Sequence, residues 1–290
     1  MQNVDMQEPC SVVQQPSKSV VSRLAGGVHR VLPRPYHVLR MMRHRVRVRQ
    51  LKRVLRVVVA KHGLMVQAGP FKGMLYVQSV VESSLAVPRA LGSALVPKLL
   101  GCYEAELQSL LAQILETTYE EVVDIGAAEG YYAVGLALCL PSARVFAFET
   151  DALRRKLCAE MARANGVAER VSLAGECGLK ELALQAQRQP LIVCDCEGYE
   201  LELLQPDLIP DLRGCDLLVE LHDSANPLIS KTIFARFAPT HEATLIQSVE
   251  NNPADYPILG PLNADDQRFA VNEERPEGMQ WVFLKSKRAD

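Results

Sequence analysis

Short apolar segments alternate with amphipathic ones over the second half of the chain. The apolar segments predict strands at 121–125, 144–148, 170–174, 191–194 and 216–221, and two later strands at 244–249 and 280–284. The segments between them have helical spacing at 131–140, 152–165 and 179–188. Short buried strands that alternate with helices are typical of a parallel sheet with helices on both faces. The pattern therefore predicts an α/β fold.

The first half of the chain has a different pattern. Basic and apolar residues alternate over residues 36–61, and we predict a helix there because this segment contains no Gly or Pro. Its predicted apolar face holds Leu39, Met42, Val46, Leu51, Val54, Leu55 and Val58. Residues 64–79 predict a short hairpin around a Gly-Pro turn, and residues 103–116 predict an amphipathic helix.

These patterns divide the chain into three parts. Residues 1–35 are polar with little periodicity, and we predict that they are disordered. Residues 36–115 comprise the basic helical arm, the hairpin and a lead-in helix. Residues 116–290 hold the alternating strands and helices, and we predict that they form the main domain.

Charge is unevenly distributed along the chain. Residues 1–62 hold 13 Lys/Arg and 2 Asp/Glu, whereas the rest holds 19 and 32. A basic arm beside an acidic body suggests that the arm contacts nucleic acid, an anionic membrane surface or the body itself. As an amphipathic helix, residues 36–61 would suit an anionic membrane, and intramolecular packing is the alternative that needs no partner.

The remaining composition indicates a cytoplasmic protein. Eight cysteines are scattered without a CxxC pair or zinc-ligand spacing, which fits a reducing compartment. Neither a signal peptide nor an apolar run long enough to cross a bilayer is evident. The arm leaves open a peripheral position at the inner membrane surface, and the sequence does not indicate an oligomeric state.

The strongest local motif joins the first predicted strand of the main domain to its helix. It runs from Val122 to Gly130, with Asp124 in the strand and Gly126, Ala127 and Gly130 in the turn. Glycines there let the backbone approach a ligand. A dinucleotide site would have its middle glycine at the position of Ala128, where it makes room for the pyrophosphate. Adenosylmethionine has no pyrophosphate and tolerates the spacing found here. A turn without a ligand is the structural alternative.

Acidic residues follow the next strands. Glu149 ends the strand 144–148, where a carboxylate can accept both ribose hydroxyls of a nucleoside. Asp195 follows the strand 191–194, where it can contact the amino acid part of a cofactor, the acceptor or a metal. His222 follows the strand 216–221 and has the pKa range of a general base. Each also has an ordinary structural explanation, such as a helix cap or a local ion pair.

Taken in order, these motifs resemble a known family. The glycine turn, Phe148-Glu149, the run from Asp195 to Glu200, and Glu220-Leu221-His222 resemble the FkbM-type branch of the class I S-adenosylmethionine-dependent methyltransferases. The resemblance covers roughly residues 99–225. It implies a Rossmann-like sheet of seven strands, the last antiparallel, and O-methylation of a hydroxyl on a sugar or another small or natural-product acceptor. A lipid-linked glycan would suit the alternative in which the basic arm lies on a membrane.

The resemblance also implies roles for individual residues. Asp124, Gly126, Ala127 and Gly130 would frame the methionine part of the cofactor, Glu149 would hold its ribose, and Glu176 is a weaker candidate for its adenine. Asp195 would face the methyl-transfer centre, with Glu197 and His222 on the acceptor side as further catalytic candidates. The resemblance does not identify the base. A divalent metal on Asp195 and Asp223 could do similar work, but the sequence does not require one.

Three other functions compete with this hypothesis. A nucleic-acid methyltransferase would share the fold, but amino-group methylation usually uses an N/D-P-P-Y/F sequence where this chain has Asp195-Cys196-Glu197-Gly198. A non-catalytic binding module is disfavoured by acids at three strand ends. An NAD-dependent oxidoreductase is disfavoured by Ala128.

Overall fold

The computed structural model of the chain describes residues 33–86, 94–276 and 278–287. The prediction of disorder for residues 1–35 therefore lies almost entirely outside the described residues. The chain divides into two compact units, residues 1–46 and residues 47–290. All of the strands and all of the candidate site residues belong to the second unit.

A seven-stranded sheet lies at the centre of the second unit. Its strands are β1 (Glu121–Ile125), β2 (Arg144–Phe148), β3 (Val171–Ala174), β4 (Leu191–Cys194), β5 (Asp216–Leu221), β6 (His241–Gln247) and β7 (Gln280–Ser286). The order across the sheet is β3-β2-β1-β4-β5-β7-β6, and only β7 runs antiparallel to its neighbours. The predicted α/β fold, with a sheet of seven strands of which the last is antiparallel, is therefore confirmed.

The helices cover both faces of this sheet. They are α1 (Pro33–His62), α2 (Gln78–Ala86), α3 (Leu95–Leu100), α4 (Gln108–Leu115), α5 (Tyr131–Cys139), α6 (Ala152–Ala164), α7 (Leu179–Ala186), α8 (Glu200–Leu203), α9 (Ile229–Phe237) and α10 (Ala264–Val271). Side chains of β1 alternate between two cores, because successive residues of a strand point to opposite faces. Val122 belongs to the core under α5 and α6, and Val123 belongs to the core under α7 and α9.

Two of the predicted elements differ from the structure. The predicted hairpin at 64–79 is reduced to one antiparallel bridge between Met65 and Leu75. The turn between them packs inward, with Phe71 so close to Gly135 of α5 that no side chain would fit at that glycine. The prediction also placed strand β6 three residues late, at 244–249. This edge strand is mostly exposed, so its apolar pattern is weak.

The predicted basic helix is present as α1. Within the second unit its side chains Leu51, Val54, Leu55 and Val58 are buried in the main core, at the spacing of one helical face. Arg53 binds Asp266 of α10 through two hydrogen bonds. The apolar face of residues 47–62 is thus packed into the chain's own core. Contact with an anionic membrane stays a prediction, and none of the described helices is long and apolar enough to span a bilayer.

Candidate active site

The glycine turn lies where the carboxyl ends of three central strands meet. The backbone N–H groups of Gly126 and Ala127 both donate to the carbonyl of Phe148 at the end of β2. A Cβ on Gly126 would lie 1.7 Å from the Asp195 carbonyl oxygen after β4, and the residue has a φ of 93°. Only glycine fits there. The turn is thus held tightly between the ends of β2 and β4.

A cleft of about 330 Å³ opens beside this turn. Five of the predicted site residues line it, namely Gly126, Glu149, Glu176, Asp195 and Glu197. Its volume is at the lower end of the range for small-molecule sites. The position beyond the strand ends is where open α/β sheets bind ligands.

The other predicted residues of the turn are buried outside the cleft wall. Asp124 and Ala127 are almost inaccessible, and burial raises the pKa of Asp124 to about 7. A Cβ on Gly130 would lie 2.6 Å from the Cys158 sulfur of α6, so this glycine permits helix packing. These three residues shape the turn from beneath.

Glu149 is a buried carboxylate at the rim of the cleft. One of its oxygens accepts the Ala128 N–H at 2.9 Å, and the other accepts the Asp151 N–H at 2.8 Å. Each carboxylate oxygen can accept a second hydrogen bond. The side chain is therefore fixed in place with capacity left for two hydroxyl donors.

Lys98 is a cleft residue that the sequence analysis missed. Its ammonium is buried, lies 2.7 Å from a carboxylate oxygen of Glu129, and is 4.5 Å from the centre of the Tyr103 ring. The available signal was a lysine within the otherwise apolar segment 95–100. It was overlooked because nothing local indicates that α3 packs against the glycine turn.

A histidine and four acids converge at the ends of β4 and β5. His222 Nδ1 is 2.7 Å from a Glu200 oxygen, while its Nε2 lies 3.4 Å from Glu220, 3.5 Å from Asp195 and 3.7 Å from Glu197. The predicted catalytic residues Asp195, Glu197 and His222 are therefore brought together. Glu200 and Glu220 join them through the same motifs, although the sequence analysis gave these two residues no role.

The surroundings of this cluster shift its pKa values. Burial alone would lower the pKa of His222, but the hydrogen bond to Glu200 and the charge of Glu220 raise it above the usual value. Burial, followed by the charge of Glu220, raises the pKa of Asp195 well above its ordinary range. Burial likewise raises the pKa of neighbouring Glu104 to about 8. Both carboxyl shifts arise because charge is costly in a buried acidic site.

Arg275 supports the cluster from the far side. Its guanidinium lies 2.5 Å from Glu220 and 2.5 Å from Glu106. Arg275 was missed because it follows Glu220 by 55 residues in an irregular segment. Asp223, the alternative metal ligand in the sequence analysis, instead accepts from the backbone and the hydroxyl of Ser230. Glu220, and not Asp223, accompanies Asp195.

Solved structures are similar to this chain, but no sequence family is. No family model matches the chain. No curated protein matches it either. The O-methyltransferase TomG from Streptomyces achromogenes, solved in complex with SAM, is 15% identical over 73% of this chain and 92% of its own, with a TM-score of 0.48.

Two further solved structures are similar to a comparable degree. The O-methyltransferase from Bacillus cereus in complex with SAH is 15% identical over 72% of this chain and 90% of its own, with a TM-score of 0.47. An rRNA methylase from Streptococcus thermophilus is 15% identical over 63% and 97%, with a TM-score of 0.44. At such identities, likeness concerns the fold alone, so the function has to be argued from the site.

Proposed function

We propose that this chain is an S-adenosylmethionine-dependent methyltransferase that methylates a hydroxyl group of a sugar or another small acceptor. The observation that carries the proposal is the position of Glu149. Its fixed carboxylate lines the cleft beside the glycine turn, and Asp195 lines the same cleft. A nucleoside with its ribose on Glu149 would direct its other end toward the acidic cluster.

The residues of the cleft fit adenosylmethionine better than a dinucleotide. Ala128 has a φ of 47° and donates its N–H to Glu149, so this part of the turn is already engaged. A pyrophosphate would need a glycine and free N–H groups there. Lys98 lines the cleft, and its ammonium, which is paired with Glu129, has further N–H groups that could bind the cofactor's carboxylate.

For methyl transfer from a sulfonium, the protein mainly has to align the acceptor with the methyl group and remove the hydroxyl proton. The cofactor supplies an activated methyl group on a sulfonium. Asp195 and Glu197 border the cleft and would position an acceptor hydroxyl in line with that methyl group. The hydroxyl proton would pass to the cluster of Asp195, Glu197 and His222 as the new O–C bond forms.

We further propose that the chain is of the FkbM type. The contact between His222 and Glu200 supports this assignment, because it joins the last residue of the motif after β4 to the histidine of the motif after β5. The spacing of both motifs then follows from one buried interaction. The acceptor class rests on this resemblance.

A methyl-transfer assay tests the proposed function. The chain should convert adenosylmethionine to adenosylhomocysteine only when a hydroxylated acceptor is present, and screening sugars and glycan fragments should identify the acceptor. Asp195→Asn should lower the rate by at least about 100-fold. Methylation of RNA but of no sugar would instead favour the nucleic-acid alternative. Cofactor binding without turnover on any acceptor would favour a binding module.

A further inference from the structure

The cluster at the ends of β4 and β5 has the form of an unassigned cation site. We propose that Asp195, Glu220 and His222 together bind one divalent metal ion, of the class that accepts mixed oxygen and nitrogen ligands, such as Mn²⁺. One ligand atom from each residue lies within 4.8 Å of the others. Two carboxylates and one imidazole suit Mn²⁺, Fe²⁺ or Zn²⁺ better than the all-oxygen preference of Mg²⁺.

The distances match those between ligands that share one ion. His222 Nε2 is 3.4 Å from the Glu220 oxygen and 3.5 Å from the Asp195 oxygen, too long for good hydrogen bonds. Two ligands about 2.1 Å from a metal, at angles between a right angle and the tetrahedral angle, lie about 3.0–3.5 Å apart. Both distances from His222 therefore suit ligands of one ion, and the two carboxylate oxygens lie within 4.8 Å of each other.

One of these two carboxylate oxygens is buried and has no hydrogen-bond partner among the described residues. It is the Asp195 oxygen nearest to His222 Nε2. The His222 side chain beside it is almost fully buried. Buried polar atoms are nearly always satisfied by protein, water or an ion, so this oxygen indicates a ligand.

The outer atoms of two ligands are held by neighbouring side chains. The Nδ1 of His222 is bonded to Glu200, a residue with no exposed surface. The second oxygen of Glu220 is bonded to Arg275, which leaves the first to face His222. A histidine that binds a metal through one ring nitrogen usually donates the N–H of its other ring nitrogen to a carboxylate. The sequence thus fixes the orientation that metal binding needs.

The ion would act on the acceptor hydroxyl. This role rests on the proposed function, whereas cation binding itself does not. With three protein ligands, the ion would have a position left for the acceptor hydroxyl oxygen. A bound hydroxyl is acidified and loses its proton to Glu197, which lies beside the cluster and is 86% exposed. The oxygen then takes the methyl group, and the sulfur keeps the electron pair of the broken C–S bond.

Titration of the full chain with Mn²⁺ alone tests the site. After EDTA treatment and dialysis, calorimetry without any cofactor should show one equivalent of Mn²⁺ bound. Glu220→Gln and His222→Gln should each weaken binding at least about tenfold. The matched control is Asp223→Asn. Asp223 directly follows His222 in the chain, but its carboxylate accepts hydrogen bonds from Ser230 and is not one of the three proposed ligands. This variant should bind Mn²⁺ like the wild type.

A spectroscopic measurement keeps the test independent of folding defects. Mn²⁺ bound to the wild-type chain should show coupling to an imidazole nitrogen in pulsed electron paramagnetic resonance. Absence of that coupling, absence of binding to the wild type, or equal binding by Glu220→Gln would overturn the proposal. If adenosylhomocysteine still binds to the EDTA-treated chain in any of these cases, the metal site has failed and the proposed cofactor site has not.

Discussion

At the scale of single residues, the site depends on side chains whose positions are fixed by the backbone next to them. Glu149 accepts two backbone N–H groups, so its carboxylate is oriented before any ligand arrives. His222 is oriented by Glu200 in the same way. Such preorganisation lowers the cost of ordering the site upon binding.

Changing Glu149→Gln should weaken binding of adenosylhomocysteine by about 1–3 kcal/mol, because one ribose hydroxyl would then face an N–H donor. Isothermal titration calorimetry measures the loss. The control is Glu242→Gln, which alters an exposed acid on the edge strand β6 and should leave the affinity unchanged. Equal affinities for wild type and Glu149→Gln would remove Glu149 from the site.

Changing Gly126→Ala should destabilise the fold as well as the cofactor site. The added Cβ would collide with the Asp195 carbonyl, and alanine resists the positive φ. We expect a loss of about 3 kcal/mol or more in the free energy of unfolding, measured by urea denaturation. The control is Gly175→Ala, since a Cβ there meets nothing within 4 Å. Similar stability of the two variants would show that the turn can move.

The sequence predicted site residues where they follow strands directly. Gly126, Glu149, Asp195 and His222 each follow a predicted strand within one or two residues, and parallel strand ends must meet at one edge of the sheet. Lys98, Glu104 and Arg275 could not be predicted in this way. They reach the site through packing between segments far apart in the chain, which leaves no local pattern.

At the scale of secondary-structure elements, the central strands were the easiest to predict. Strands β1, β4 and β5 are buried at every position, so their apolar runs are continuous. Helices α2, α3, α8, α9 and α10 were missed, and each is nine residues or shorter. In such short helices, packing rather than local pattern decides the structure.

The contact between α1 and α10 should make stability depend on pH. The Arg53 hydrogen bond holds the pKa of Asp266 below its usual range, although burial opposes this. A depressed pKa stabilises the fold above the unfolded value of about 3.9, and that contribution is lost as the pH falls through the folded value. Asp266→Asn should therefore lower the melting temperature by roughly 3–8 °C at pH 7.

The difference between this variant and the wild type should shrink once the pH falls below the unfolded value, and it should vanish below the depressed folded pKa of Asp266, where the carboxyl is protonated in both states. Thermal unfolding followed by circular dichroism at pH 7, 5 and 3 measures the difference. Asp265→Asn is the control, because Asp265 is largely exposed and pairs only with Arg268 three residues away. A constant difference between Asp266→Asn and wild type across this range would contradict the account.

At the scale of the whole molecule, the uneven charge has a partial explanation. Arg47 contacts Glu274 and Arg53 contacts Asp266, so two of the arm's cations meet acids of the body. This part of the arm is a structural component of the second unit, through buried Leu51 and Val54. We propose that the cleft beside the acidic strand ends binds adenosylmethionine, with the reactive end of the cofactor near Asp195.

The most direct test is calorimetric titration of the full chain with S-adenosylhomocysteine and, separately, with NAD. The account predicts one equivalent of S-adenosylhomocysteine bound with a dissociation constant in about the micromolar range, corresponding to roughly 8 kcal/mol, and no heat of binding with NAD. Binding of NAD, or the absence of S-adenosylhomocysteine binding by a chain that is folded by circular dichroism, would contradict it.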